Sequence, residues 1–363
     1  MNNSYTNIGL ACGGTGGHIS PALAISTNFK DYKLKPIFFT DNRGSNILDA
    51  YCYFVIASGS PSIKGFRKIV NLIKLILGIF QAIYLLYKNR IKLVIGFGGY
   101  TCVPVILAAW LLRIPSIIHE QNKILGRANK FCAKFCKKIA LSFDIKNKDF
   151  YPTKTILTGN PVLNKFEIIG NKKYSPAKNN KFVLLIIGGS QGANIFSKII
   201  PNSIRILPKK IRDNILIIQQ CREEDQVELI GALKKIGVEF IVEKYFKDID
   251  KIFERSDLII SRSGASTVCE ILASRRPSIL IPLPNSLDNH QFQNAFELTN
   301  HQASQLIEQK DFSANNLSKI LKEYISNKQI LLEMADNARL IYKGGSSKKI
   351  INLVLSTIKG SNR

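Results

Sequence analysis

The chain has 363 residues, 45% of them apolar and 21% charged, which is ample for about two buried cores and excludes a wholly disordered or fibrous protein. Basic residues outnumber acidic ones by 51 to 26, a formal charge of +25. Residues 1–160 hold 21 basic and 6 acidic side chains and the remainder 30 and 20, so the asymmetry lies at the front and expects an anionic partner: nucleic acid, acidic lipid headgroups or phosphorylated substrates.

In chain order, the opening MNNSYTNIGLACGG lacks the charged-then-apolar pattern of a secretory signal. Residues 8–12 read as a strand running into a first glycine turn, Gly13-Gly14-Thr15-Gly16-Gly17-His18, and residues 36–40 read as a second strand. Residues 69–87, IVNLIKLILGIFQAIYLLY, approach the length of a membrane span. Asn71, Lys74 and Gln81 interrupt that run, and Lys64, Arg67, Lys68, Lys88, Arg90 and Lys92 flank it. Three readings of it stay open: a buried amphipathic helix, a helix lying on an anionic bilayer, and a true span. Residues 93–97 lead into a second turn, Gly96-Phe97-Gly98-Gly99-Tyr100, and residues 116–119 into His119-Glu120-Gln121-Asn122.

Then the pattern restarts. Gly159-Asn160-Pro161 and a lysine- and asparagine-rich stretch at 171–181 precede a second series of strands at 182–187, 215–219, 239–242, 258–261 and 278–282. The first of these feeds Gly188-Gly189-Ser190-Gln191-Gly192, and the fourth feeds Ser261-Arg262-Ser263-Gly264-Ala265-Ser266-Thr267. Strands alternating with helical stretches predict two α/β domains, each a doubly wound, Rossmann-like parallel sheet. The expected division is residues 1–161, residues 162–342, and a basic amphipathic helix within 343–363 able to pack back on the first domain. Seven cysteines scattered through apolar runs read as reduced, buried thiols. Cys132 and Cys136 lie one helical turn apart without the partners a metal site needs.

Backbone N–H groups at a helix start bind anions, and glycine lets a phosphate approach closely. Four such turns at strand ends fit several chemistries. A dinucleotide oxidoreductase would use the first turn and Asp41, although Ile19 stands where its fingerprint wants glycine. A P-loop is excluded, because no Gly-Lys-Ser/Thr follows any turn. A serine hydrolase would use Ser190 with Asp288 and His290 or His301, leaving the other three turns without a purpose. The zincin-like start at His119-Glu120 lacks its second histidine, and Asp248 and Asp250 alternate with lysines like a solvated helix start. A non-catalytic module binding membrane or nucleic acid remains, although aromatic and basic residues interleave too little for nucleic acid.

GGTGGHISPALA from Gly13, GFGGYTCVPVILAAW from Gly96, HEQN from His119, GNPV from Gly159, GGSQGA from Gly188 and RSGASTVCE from Arg262 together resemble the MurG family. These are the UDP-N-acetylglucosamine:undecaprenyl-diphospho-muramoylpentapeptide N-acetylglucosaminyltransferases of bacterial peptidoglycan synthesis, and the resemblance spans nearly the whole chain in order. It implies a GT-B fold, two Rossmann-like parallel-sheet domains facing a cleft. It also implies an inverting, metal-independent transfer of GlcNAc from UDP-GlcNAc to the muramoyl 4-hydroxyl of lipid I, giving lipid II, at the cytoplasmic face of the inner membrane.

Residue by residue, the resemblance implies that Ser190 faces the diphosphate and that Thr15, Gly16 and Gly17 complete its wall. The backbone of Phe246 reads the uracil edge with Arg262 close by, and Ala265, Ser266, Thr267, Val268, Cys269 and Glu270 line the nucleotide, Glu270 on the ribose. Asn122, His290 and Gln291 bind the sugar hydroxyls. His18 is the first candidate for general base, since the start of a helix favours neutral imidazole; Glu120 is the reserve, unless it is structural. Residues 63–92 with Trp110 and Arg113 would dock on an anionic inner leaflet. The chain departs from the family pattern at Leu163, an arginine there, with Lys165 a possible substitute, and at His290, a glutamine there. At Gln219-Gln220-Cys221-Arg222 the family reads His-Gln-Ser/Thr-Gly, and Arg222 is expected to restore part of the lost charge.

Overall fold

A computed structural model describes residues 5–14, 16–59, 66–145, 151–176, 181–188 and 193–361. The chain forms two compact units, Met1–Leu163 with Gly345–Arg363, and Asn164–Gly344.

In the first unit seven strands form one parallel sheet: β1 (Thr6–Ala11), β2 (Leu34–Thr40), β3 (Tyr53–Val55), β4 (Leu93–Gly96), β5 (Ser116–Glu120), β6 (Lys138–Leu141) and β7 (Thr155–Leu157). Their spatial order is β3-β2-β1-β4-β5-β6-β7, with Ile8 of β1 in register with Pro36 on one side and Leu93 on the other. Helices cover both faces, so the central strands are apolar almost throughout. One face packs Ile37, Phe39, Val94 and Ile118 against the helix Cys102–Leu111. The other packs Ile8, Leu10, Phe38 and Ile95 with Ile19, Ala22 and Ile25 of the helix Gly16–Ser26. Ile350, Ile351 and Val354 of the last helix, Ser346–Ser361, join that second core, each fully buried apolar side chain stabilising the association by about 1.5–3 kcal/mol.

The second unit repeats the plan with β8 (Phe182–Ile187), β9 (Ile215–Gln220), β10 (Glu239–Glu243), β11 (Leu258–Ser261), β12 (Ser278–Leu280) and β13 (Gln305–Leu306). The order is β10-β9-β8-β11-β12-β13, again all parallel. The additional strands β3, β6, β7 and β13 are two to four residues long, too short to show a period in the sequence.

The long apolar stretch is one helix, Phe66–Lys88. Reading it as a buried core helix is corrected: of its most apolar window only 17% is buried. Ala82 and Leu86 face the core, whereas Ile69, Leu72, Ile73, Ile76, Leu77, Phe80, Tyr84 and Tyr87 are exposed. All seven cysteines are free thiols, and six are buried.

Candidate active site

In a doubly wound sheet, ligands lie beyond the carboxyl ends of the strands, where the strand order reverses. In the first unit that point falls between β1 and β4, and both run into glycine turns. Gly14, Gly98 and Gly99 have φ of 83°, 92° and 76°, a region that glycine enters without steric penalty. A Cβ at Gly98 would fall 3.0 Å from His18 Cδ2, and one at Gly99 would fall 3.0 Å from the Gly13 carbonyl oxygen. The two turns therefore close directly around the His18 ring. His18 Nδ1 lies 3.0 Å from the Gly13 carbonyl oxygen. A carbonyl only accepts, so Nδ1 carries the proton and Nε2 is the basic nitrogen of the ring. Gly16 and Gly17 open the helix Gly16–Ser26, and Thr15 lies outside the described residues. The Cys102 thiol sits 2.9 Å from the Ala11 carbonyl oxygen and 2.8 Å from that of Gly98, joining the two turns. Burial pushes its pKa up to about 12, so it remains a donor.

The His119-Glu120-Gln121-Asn122 segment closes β5. Glu120 is 2% exposed, and four donors occupy its carboxylate. Oε1 accepts from the backbone and side-chain nitrogens of Asn122, both at 3.0 Å; Oε2 accepts from Gly126 N at 2.9 Å and Asn129 Nδ2 at 2.8 Å. This is the geometry of a loop brace rather than of a reserve base, and it commits the side-chain nitrogen of Asn122 as well. His119, which sequence reading gave no role of its own, is fully buried. Its Nε2 lies 3.2 Å from the Gly159 carbonyl oxygen and its Nδ1 3.3 Å from Gln121 Nε2, which donates to the Phe97 carbonyl at 2.7 Å. Only the fold reveals this link between the second glycine turn and Gly159.

Burial lowers the His119 pKa to about 4, outweighing its bond to Gly159. An unfolded imidazole titrates near 6.5. Between about pH 6.5 and pH 4 the unfolded chain therefore binds the extra proton, and stability is lost as pH falls, by about 3 kcal/mol in the limit. Denaturant titrations at about pH 7 and pH 5 are expected to show that loss in the wild type and a smaller one in His119→Gln. Equal losses in both would contradict it.

In the second unit the order reverses between β8 and β11, whose ends align at Ile187 and Ser261. Gly188 follows β8; Ser190, with residues 189–192, lies outside the described residues. Gly264 is the extended N-cap of the helix Ala265–Ser274 and supplies no capping side chain. Val268 and Cys269 are buried, so they can offer a ligand only their backbone; Ser266, Thr267 and Glu270 are partly exposed. Ser263 is fully buried, and its hydroxyl finds no partner among the described residues.

Arg262 follows β11 directly. Its guanidinium donates to the carbonyls of Ile281 (3.2 Å) and Pro282 (3.1 Å) and to Gln309 Oε1 (2.6 Å), and lies 5.3 Å from the centre of the Phe196 ring. It braces the ends of β11 and β12, and no acidic side chain among the described residues pairs with it. Burial lowers its pKa, yet a guanidinium stays charged, so an under-compensated cation lies at this edge.

Beyond β12, Asn285, Asp288 and Asn289 take left-handed φ of 55°, 53° and 53°, which Asn and Asp tolerate best among side-chain-bearing residues. They lead into the helix His290–Thr299. Gln291 Oε1 accepts from Leu283 N at 3.0 Å, holding that loop. Asn294, absent from the expected site, is fully buried and donates from Nδ2 to the Ser263 carbonyl at 3.2 Å, tying this helix to the Arg262 turn. Its signal was only a helical spacing of four from His290. Phe246, 9% exposed, lies past β10 beside an open depression lined with Tyr245, Lys251 and Arg255.

The two expected substitutes for lost positive charge both have acidic partners. Lys165 Nζ lies 2.7 Å from Asp250 Oδ1, and Arg222 is bound to Asp225 and Glu224. Asp248 likewise pairs with Lys251 at 3.0 Å, so both aspartates of this helix start are held by lysines.

Residues 8–141 match the glycosyltransferase family 28 N-terminal domain, and residues 183–354 match its C-terminal domain. A Brucella suis protein named UDP-N-acetylglucosamine–N-acetylmuramyl-(pentapeptide) pyrophosphoryl-undecaprenol N-acetylglucosamine transferase is 36% identical over 357 residues, 97% of this chain and 94% of that one. The fold is similar to the crystal structure of Acinetobacter baumannii MurG, with a TM-score of 0.74 and 24% identity over 97% of this chain and 99% of that one. It is also similar to a Neisseria meningitidis UDP-GlcNAc 2-epimerase bound to UDP-GlcNAc, with a TM-score of 0.70 and 14% identity over 97% of this chain and 100% of that one. With both domain halves matched and more than a third of its residues shared along nearly its whole length, the chain belongs to glycosyltransferase family 28, among the pyrophosphoryl-undecaprenol N-acetylglucosamine transferases.

Proposed function

We propose that this protein transfers N-acetylglucosamine from UDP-N-acetylglucosamine to the 4-hydroxyl of the muramoyl sugar of undecaprenyl-diphospho-muramoylpentapeptide, with inversion and without a required metal. The observation that carries the reading is His18, its basic Nε2 set by the Gly13 carbonyl and its ring held between two glycine turns at the switch point of the first sheet.

In this reading the second unit holds the donor. Amides at the N-terminal end of the helix Asn194–Ile206 bind the donor's diphosphate, and those of Ala265–Ser274, together with Ser190 and the under-compensated Arg262, stabilise the charge that gathers on it as it departs. Glu270 accepts from the vicinal ribose hydroxyls, the Phe246 backbone reads the uracil edge, and His290 and Gln291 serve the sugar. His18 Nε2 takes the proton of the attacking 4-hydroxyl as its oxygen bonds to the anomeric carbon and the bond from that carbon to the diphosphate breaks. The experiment is transfer of radiolabelled GlcNAc to a soluble lipid I analogue in the presence of EDTA. Labelled disaccharide product is expected; no product, or product only when a divalent cation is restored, would contradict it.

The acceptor is a membrane lipid, and the reading extends to a peripheral position on the cytoplasmic leaflet. The exposed face of Phe66–Lys88, with Trp110 (53% exposed) and Leu111, forms an apolar surface. Lys74, Lys88, Arg90 and Arg113 are exposed on the same unit. Such a surface combines apolar insertion with attraction to anionic headgroups. Sedimentation with anionic vesicles but not neutral ones, reversed by high salt and abolished by Ile76→Asp with Phe80→Asp, is the expected result. Equal binding to both vesicle types would contradict it.

A further inference from the structure

We propose that Asp225 is a positioning residue for the donor's diphosphate. The assignment rests on the donor reading above, in which the N-terminal end of the helix Asn194–Ile206 faces that diphosphate. Ala193, the N-cap of this helix, has no capping side chain, so the helix start is not held by its own cap. It is held from the neighbouring helix instead. Asp225 lies in the first turn of Glu223–Ile236 with its side chain only 11% exposed. Its Oδ1 accepts from Asn194 Nδ2 at 2.7 Å, and its Oδ2 accepts from Arg222 Nε and Nη2, both at 2.8 Å.

One buried carboxylate thus joins the first residue of the helix Asn194–Ile206 to the residue that caps Glu223–Ile236. The paired guanidinium does a second job. A bare carboxylate beside that helix start would repel a diphosphate, whereas two short bonds from Arg222 to Asp225 offset its charge. Arg222 therefore acts on the donor through Asp225 rather than by touching it, which accounts for an arginine at this position in the chain. No catalytic step passes through either residue. Their effect falls on how well the helix start is set before the donor arrives, so it belongs in donor affinity rather than in the rate of the chemical step.

Calorimetric titration with UDP-GlcNAc, paired with steady-state kinetics, tests this on wild type, Asp225→Ala, Asn194→Ala and the double variant. Each single variant is expected to raise Kd and KM for UDP-GlcNAc roughly tenfold while kcat and the acceptor KM stay within about twofold. The double variant is expected to bind no more weakly than the weaker single one, because both changes cut the same link. Should Asp225→Ala fail to fold, Asp225→Asn, which keeps the volume and one accepting oxygen, carries the same titration with a smaller rise. Unchanged donor affinity in Asp225→Ala, a fall in kcat at constant KM, or additive effects in the double variant would overturn the role of Asp225 alone. A wild type that gives no heat with UDP-GlcNAc would overturn the donor assignment itself.

Discussion

Replacing His18 with alanine is expected to lower kcat by roughly 10²–10⁴-fold, the usual contribution of a positioned general base, with Kd for UDP-GlcNAc within about twofold of wild type. The expectation follows from where the ring sits. The left-handed Gly98 and Gly99 lie against the imidazole, and the Gly13 carbonyl fixes which nitrogen is basic. His18→Gln keeps a donor to Gly13 but has no basic nitrogen, so it should lose activity as fully as His18→Ala. A His18→Gln enzyme with more than about a tenth of wild-type kcat would show that the ring only braces the turns and that the proton leaves by another route.

Glu120→Ala should act on stability first. Removing the carboxylate strands the Gly126 amide and the Asn122 and Asn129 side chains, buried or half-buried donors each worth about 1–3 kcal/mol when left unpaired. A loss of about 3–5 kcal/mol in urea unfolding is expected, with Glu120→Gln intermediate because it keeps one accepting oxygen. A Glu120→Ala protein within about 0.5 kcal/mol of wild type but without activity would return Glu120 to the list of bases.

The doubly wound plan was legible because fully covered parallel strands read as unbroken apolar runs, such as FVLLII before Gly188, and because each strand at a switch point leads into a glycine-containing turn. The edge strands were not, since three residues such as those of β3 carry no period. Composition also could not tell which side of residues 69–87 faces the core; that depends on packing against Cys102–Leu111. The family followed from motif order, but the fate of individual charges did not. Lys165 and Arg222 both look available in sequence, yet Lys165 is paired with Asp250, which only the fold brings near from 85 residues away, and Arg222 turns back on Asp225 in the first turn of its own helix. His119 and Asn294 were overlooked for the converse reason, because a buried histidine or amide that links two turns leaves no mark beyond its own letter.

In the proposed reaction a sugar nucleotide's diphosphate is held by backbone amides at helix starts in the second unit. A crystal structure with UDP-GlcNAc bound tests it most directly. The diphosphate is expected within hydrogen-bonding distance of the first amides of Ala265–Ser274, with the Glu270 carboxylate on the ribose; a nucleotide bound away from that helix start would contradict the account.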